Sequence, residues 1–199
     1  MAPKILGIVG SYRKGCVIDT LVSTALSAAK EAGATTSKIY LQDKHIEFCI
    51  NCRQCTQEPG TMYGQCIHHD DMASILQEIE SSDGIVLGAP VNFFNVTAIM
   101  RRFMERLVCY AYWPWGHHAP QLRNKVKNKR AVLITATAMP AFFGRLLTGA
   151  VRALKITAEV LHAKTVATIF AGTIADTEHP TVPLKFIQQA QKAGRKLLA

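Results

Sequence analysis

Short apolar runs and amphipathic stretches alternate along this chain from one end to the other. Lys4–Val9 is an apolar, partly β-branched run that reads as a buried strand and breaks at Gly10. From Val17 onward, Ile18, Leu21, Val22, Ala25 and Ala29 fall on one face of a helix. Thr36–Leu41 reads as a second strand. Met72, Ile75, Leu76 and Ile79 give the next helix its apolar face, with Asp70 and Asp71 placed to cap it. Gly84–Ala89 is a short third strand, and Thr97–Val108 is a helix with Ile99, Met100, Phe103, Met104 and Leu107 inward. Arg130–Thr135 makes a fourth strand. One long helical segment is expected over Ala141–Leu161, then a strand over Thr165–Ala171 and a last helix over Pro183–Leu198.

Five strands alternating with helices imply a parallel sheet covered on both faces. The pattern therefore predicts an α/β three-layer sandwich with the flavodoxin-like strand order 2-1-3-4-5. In that order a ligand lies past the C-terminal ends of strands one, three and four. No repeat, low-complexity tract or linker divides the sequence, so residues 1–199 are expected to form a single domain with a cysteine-rich insert at 45–70.

Composition narrows the function classes. Hydrophobic residues make up 49% of the chain, enough for a sizeable core. No apolar stretch approaches the ~18 residues of a membrane helix. Met1-Ala2-Pro3-Lys4 runs straight into the first strand without a signal-peptide core, which predicts a cytoplasmic protein with no membrane partner. The net charge of +9 suits anionic ligands. The basic residues are scattered, apart from a run from Arg123 to Arg130 that reads as a solvated helix-to-strand connection. That distribution argues against nucleic acid as a partner. Six cysteines without a secretory signal point to metal, cluster or redox chemistry, or to plain burial, rather than to a disulfide framework.

Three loops carry the candidate chemistry. The first, Gly10-Ser11-Tyr12-Arg13-Lys14-Gly15, joins a strand to a helix, an arrangement that aims backbone N–H groups at an anion. Its glycines do not match G-x-G-x-x-G spacing, and no Gly-Lys-Ser/Thr follows, so it suits a terminal monophosphate better than a pyrophosphate. Ser11 offers a hydroxyl, Arg13 a planar charged fork, and the residues from Gly15 to Ile18 their amides. Taken alone, the segment is equally an ordinary βα turn with exposed charge. The second loop, Gly88-Ala89-Pro90-Val91-Asn92-Phe93-Phe94-Asn95-Val96, ends strand three with a stiffening proline, two amides and two aromatic rings. The third, Thr135-Ala136-Thr137-Ala138-Met139-Pro140, ends strand four with small residues. Together they form one crevice suited to a flat aromatic ligand with a phosphate tail.

These segments, in this order, resemble a known family. Gly10-Ser11-Tyr12-Arg13-Lys14 is similar to the Gly-Ser-Pro-Arg-Lys phosphate loop of the flavodoxin-like NAD(P)H-dependent FMN reductases. Ala89–Val96 is similar to their Ser-Pro-Val-Tyr-Phe-Gly-Asn-Val-Ser segment. Cys49-Ile50-Asn51-Cys52-Arg53-Gln54-Cys55, followed by Cys66 and Asp70-Asp71-Met72, resembles the cysteine-rich insert of iron-sulfur flavoproteins in that superfamily. The resemblance implies that Ser11, Arg13 and the amides of Cys16, Val17 and Ile18 hold the FMN phosphate. It implies that Pro90, Val91, Asn92, Phe93, Phe94 and Asn95 contact the ribityl chain and isoalloxazine, with Thr135, Ala136 and Thr137 flanking the ring. Two positions depart from the family pattern: Val17-Ile18 stand where an Asn-Thr pair is usual, and Asn92 replaces a tyrosine. Both leave backbone contacts in place.

The spacing Cys49-x2-Cys52-x2-Cys55 is a ligand signature, because thiolates three residues apart in a turn converge on one metal or cluster. Cys66 is the fourth candidate, after ten intervening residues. Cubane-bearing relatives have a shorter last gap. A [4Fe–4S] cluster, a zinc ion with His68 or His69 as a substitute ligand, and a set of unliganded thiols all stay open. Cys16 and Cys109 read as small structural hydrophobes. The aromatic, proline-stiffened stretch from Tyr110 to His118 reads as a subunit contact or a wall over the flavin, and His45, His162 and His179 have no partner legible in the sequence.

The implied protein is an FMN-dependent oxidoreductase that passes electrons from NAD(P)H to a flavin, quinone or other small acceptor, without a side-chain acid or base in the hydride transfer. A second possibility is an iron-sulfur flavoprotein that exchanges electrons with a ferredoxin-like carrier protein. A third is a non-catalytic regulator or metal-binding module that has kept the fold. A homodimer or homotetramer is expected.

Overall fold

A computed structural model describes residues 2–60, 62–174, 177–178 and 180–199; His179 lies outside them. Its main elements are β1 (Lys4–Val9), α1 (Val17–Glu31), β2 (Thr35–Tyr40), α2 (Met72–Glu80), β3 (Gly84–Gly88) and α3 (Ala98–Arg106). There follow β4 (Ala111–Tyr112), β5 (Gln121–Leu122), β6 (Lys129–Ala136), α4 (Ala141–Leu147), α5 (Ala150–Val160), β7 (Ala163–Ala171) and α6 (Leu184–Lys196). Five parallel strands form one sheet in the order β2-β1-β3-β6-β7, which is the expected 2-1-3-4-5.

Side-chain alternation along the strands builds two separate cores. Ile5, Val9, Val86, Val132 and Ile134 pack with Ile18, Leu21 and Val22 of α1 and Phe186 and Ala190 of α6 on one face. Leu6, Ile8, Ile85, Leu87 and Leu133 pack with α2, α3 and α5 through Ile75, Met100, Phe103 and Leu154 on the other. No described helix is long and apolar enough to cross a membrane.

Three local expectations change. The single helix expected over Ala141–Leu161 is two, because Thr148 leaves helical geometry and the Gly149 N–H bonds Phe94 O at 2.8 Å. The segment between α3 and β6 holds a small antiparallel hairpin, β4–β5, that the hydropathy pattern did not show. Asp71 makes no side-chain cap on α2; its carboxylate accepts from His45 N instead, and Asp70 accepts from Met72 N. The two aspartates thus tie the start of α2 to the chain that precedes the cysteines.

Candidate functional site

The β1–α1 loop is built around Gly15. Its φ of +71° is a left-handed conformation that side-chain-bearing residues seldom adopt. Ser11, itself buried, accepts the Arg13 N–H at 3.1 Å, which folds the loop start into a hydroxyl-closed turn. No hydrogen bond from the amides of Cys16, Val17 or Ile18 is formed among the described residues. These are the orphan N–H groups of a helix start, and they carry the positive end of the α1 dipole.

The loops after β1, β3 and β6 meet there in one open cavity of about 280 Å³. Ser11, Arg13, Cys16, Val17, Ile18, Pro90, Val91, Asn92, Ala136 and Thr137 line it, as do Tyr12, Ala138, Ile174 and Pro180. The last four are not singled out by the sequence reading, and Ile174 and Pro180 come from a connection after β7 with no motif of its own.

Four expected residues stand outside this lining. Thr135 shares the sheet face of Leu133, turned from the cavity, and its Oγ1 is buried without a hydrogen-bond partner among the described residues. Asn95 Oδ1 accepts the Val96 N–H at 2.9 Å. Phe93 and Phe94 occupy the tip of a tight turn closed by reciprocal Asn92–Asn95 backbone bonds of 2.7 and 3.0 Å. Both have positive φ, 43° and 63°, which bulky residues rarely adopt, and Phe93 is 98% exposed. Phe142, Phe143, Leu146 and Leu147 are exposed as well, on α4, the helix that leads into Gly149 and its bond to Phe94 O.

The cysteine-rich insert forms a second candidate site. Asn51 and Arg53 both have positive φ, and these left-handed turns curl the chain so that Cys49, Cys52 and Cys55 face one cavity. The ten-residue excursion to Cys66 closes on itself. Gly64 lies so near Cys55 that any side chain at this position would collide with the Cys55 carbonyl oxygen. Gly64 N donates to Cys109 O at 2.8 Å, while Arg123 donates to Cys55 O at 3.0 Å and to Cys109 O at 3.1 Å. Arg123, expected on a solvated connection, is therefore a staple of the insert.

Cys66 joins the other three thiols around an enclosed space of about 20 Å³, lined also by His68 and Arg106. Such a space holds about one water molecule or ion. No group of three or more His, Cys, Asp or Glu among the described residues is arranged to hold a metal ion. Burial, with the neighbouring Cys66, Cys49 and Cys52 thiols, pushes Cys55 up to about 11. Burial likewise pushes Cys109 up to about 12, in keeping with a structural thiol.

Arg106, at the end of α3, is the charged member of this shell. Its fork grips the Asp70 carboxylate, with the two side chains 2% and 1% exposed. It also donates to Glu47 O at 2.8 Å and to Cys66 Sγ at 3.4 Å. Burial would lift the Asp70 carboxyl, but Arg106 and the amides of Glu47 and Met72 hold it below the usual carboxylate range. The aromatic stretch packs here too. The Arg53 guanidinium lies 3.7 Å from the Trp113 ring centroid and 4.2 Å from that of Trp115. None of residues 110–118 lines the cavity at the strand ends, so this stretch walls the cysteine insert instead.

Comparison with known proteins identifies the family of the chain. A family model described as NADPH-dependent FMN reductase matches residues 3–177. An iron-sulfur flavoprotein of Archaeoglobus fulgidus is 33% identical over 122 residues, covering 61% of this chain and 50% of that protein. Another, from Methanocaldococcus jannaschii, is 40% identical over 103 residues, covering 52% and 51%. The chain thus matches about half the length of these curated relatives. Among solved structures, an NAD(P)H:quinone oxidoreductase from Methanothermobacter marburgensis superposes with a TM-score of 0.73 at 15% identity, covering 99% of this chain and 100% of that one. An FMN-dependent NADH-azoreductase from Bacillus anthracis superposes with a TM-score of 0.67 at 16% identity, covering 98% and 97%. At these identities the structural matches establish the flavodoxin-like fold. The chain belongs to the NADPH-dependent FMN reductase family.

Proposed function

We propose that this protein is an FMN-dependent oxidoreductase that takes electrons from a reduced nicotinamide and passes them to a flavin, a quinone or another small acceptor. The observation that carries this reading is the meeting of three strand-end loops in one cavity beside uncommitted amides at a helix start. The residues fit FMN. Ser11, Arg13 and the amides of Cys16, Val17 and Ile18 would hold its phosphate, while Pro90, Val91 and Asn92 would line one side of the ring system. Ala136 and Ala138 allow close approach on the other side, and Ile174 and Pro180 shield the space from water. Bound FMN supplies hydride acceptance and onward electron transfer; the protein's part is binding and orientation. The test is anaerobic purification, addition of FMN, removal of unbound flavin, and assay of NADH or NADPH oxidation with a quinone. Flavin retained on the protein and acceptor-dependent oxidation support the reading. A protein that takes up no flavin contradicts it and leaves the regulator reading standing.

A specific observation favours iron-sulfur chemistry as a second function of the chain. Four thiols and a buried guanidinium face one space, and the donor set fits a [4Fe–4S] cluster in kind and number. The present spacing does not hold a metal, so loading requires the Cys49–Cys55 curl to rearrange and couples metal uptake to local folding. Such a cluster would relay electrons between the flavin and a carrier protein. Anaerobic reconstitution with iron and sulfide should give a brown protein bleached by dithionite. Uptake of zinc alone would assign the site to zinc.

The exposed apolar surface around the Phe93–Phe94 turn and α4 supports self-association through a second copy of the chain. This face borders the flavin cavity, so the partner copy would help to enclose it.

A further inference from the structure

Asp19 poses an electrostatic puzzle. It is a buried carboxylate in the first turn of α1, the helix whose N-terminus faces the proposed phosphate position. A negative charge there opposes a phosphate unless it serves another purpose. Asp19 does not line the flavin cavity. Its Oδ1 accepts from Lys38 Nζ at 2.7 Å and from the Tyr40 hydroxyl at 3.0 Å. Lys38 also bonds Ser23 Oγ at 2.7 Å, so the carboxylate is neutralised by a fixed network from β2 and α1.

The remaining acceptor reaches the loop. Asp19 Oδ2 accepts the Gly15 N–H at 2.7 Å, which fixes the peptide before Gly15. Thr20 Oγ1 donates to Gly15 O at 3.3 Å, which fixes the peptide after it. A trans peptide is planar, with C=O and N–H pointing in opposite directions. Holding Gly15 O toward Thr20 therefore turns the Cys16 N–H the other way, and Cys16 lines the flavin cavity. Gly15, at φ +71°, is a residue whose flexibility would otherwise let both peptides rotate.

We propose that Asp19, held by Lys38 and Tyr40, is the positioning residue of the phosphate loop. It locks the peptide before Gly15, as Thr20 locks the one after it, so that the loop enters α1 with the Cys16–Ile18 amides pre-aimed at the FMN phosphate. This is the substitute for the side-chain donors missing at Val17 and Ile18. The inference rests on the FMN reading above.

The test compares FMN with riboflavin, which lacks the phosphate, by flavin-fluorescence titration of the full chain freed of bound flavin. Asp19→Asn should weaken FMN binding about tenfold and leave riboflavin binding unchanged. Direct charge repulsion gives the opposite sign, because removing a negative charge near a phosphate would tighten FMN. Tighter or unchanged FMN binding by Asp19→Asn overturns the inference. Tyr40→Phe keeps the ring and removes one donor to Asp19, so it should lower the FMN preference in the same direction by a smaller factor. If Asp19→Asn does not fold, an unchanged FMN-to-riboflavin ratio in Tyr40→Phe overturns the inference. Wild-type protein that binds neither flavin overturns the FMN reading and this inference with it. Wild-type protein that binds both equally overturns this inference alone.

Discussion

At the scale of single residues, the proposed flavin cavity is a place where backbone and side chain divide the work. Val17 and Ile18 present no donors beyond their amides, so Arg13 is the charged side chain that the lining offers to a phosphate. Arg13→Ala should weaken FMN binding by about 1.5–3 kcal/mol, roughly ten- to a hundredfold, with riboflavin affinity as the unaffected control. Much of this was legible in the sequence: Ser11, Arg13, Pro90 and Asn92 lie where the strand-end argument put them. Ile174 and Pro180 were not, since a residue that reaches a site only through chain folding leaves no local pattern. Thr135 shows the converse. It lies in the right loop, but strand alternation turns its side chain to the other face of the sheet. Asp19 left no local signal because Lys38 and Tyr40, which hold its carboxylate, lie 19 and 21 residues away on β2.

At the scale of elements, the strand and helix pattern was readable because each core face repeats with its own period. The cysteine insert was readable only as a ligand spacing. What closes its long gap is a set of distant staples: Arg123 after β5, Gly64 against Cys55, and Arg106 on Asp70. Arg106→Leu leaves the buried Asp70 carboxylate uncompensated, so urea unfolding should show a loss of about 3–5 kcal/mol. The same variant should fail to incorporate iron and sulfide, since the segments on both sides of the cysteines lose their anchor. Full stability in this variant would show that the pair does not anchor the insert.

Acid should act on the same pair and on the phosphate loop. Both Asp19 and Asp70 have carboxyls held below the usual carboxylate value by their hydrogen-bond partners, against the opposing effect of burial. A lowered native pKa means that the unfolded chain binds protons more readily, so these groups contribute stability above about pH 4. That contribution falls as the pH drops through their native values. Thermal melting should therefore be insensitive to these two groups between pH 6 and 7.5 and decline below about pH 4. Asp70→Asn should flatten the decline.

At the scale of the whole molecule, two features share one end of the sheet: a cavity with uncommitted amides, and an exposed apolar face made by the Phe93–Phe94 turn and α4. Two bulky residues held at positive φ and turned to solvent make poor sense for an isolated chain. A Phe142→Glu, Leu146→Glu double variant should sediment as a monomer, while the wild-type chain sediments as a dimer or larger assembly. Its flavin should also dissociate faster, because the partner copy no longer encloses the cavity. FMN binding by the loops after β1, β3 and β6 for electron transfer underlies every functional proposal made for this chain. It is tested most directly by the visible spectrum of anaerobically purified protein after incubation with FMN and desalting. The expected spectrum has the two flavin bands at one FMN per chain, bleached by NADH or NADPH and restored by a quinone. A colourless protein after desalting, with the fold intact, would contradict it.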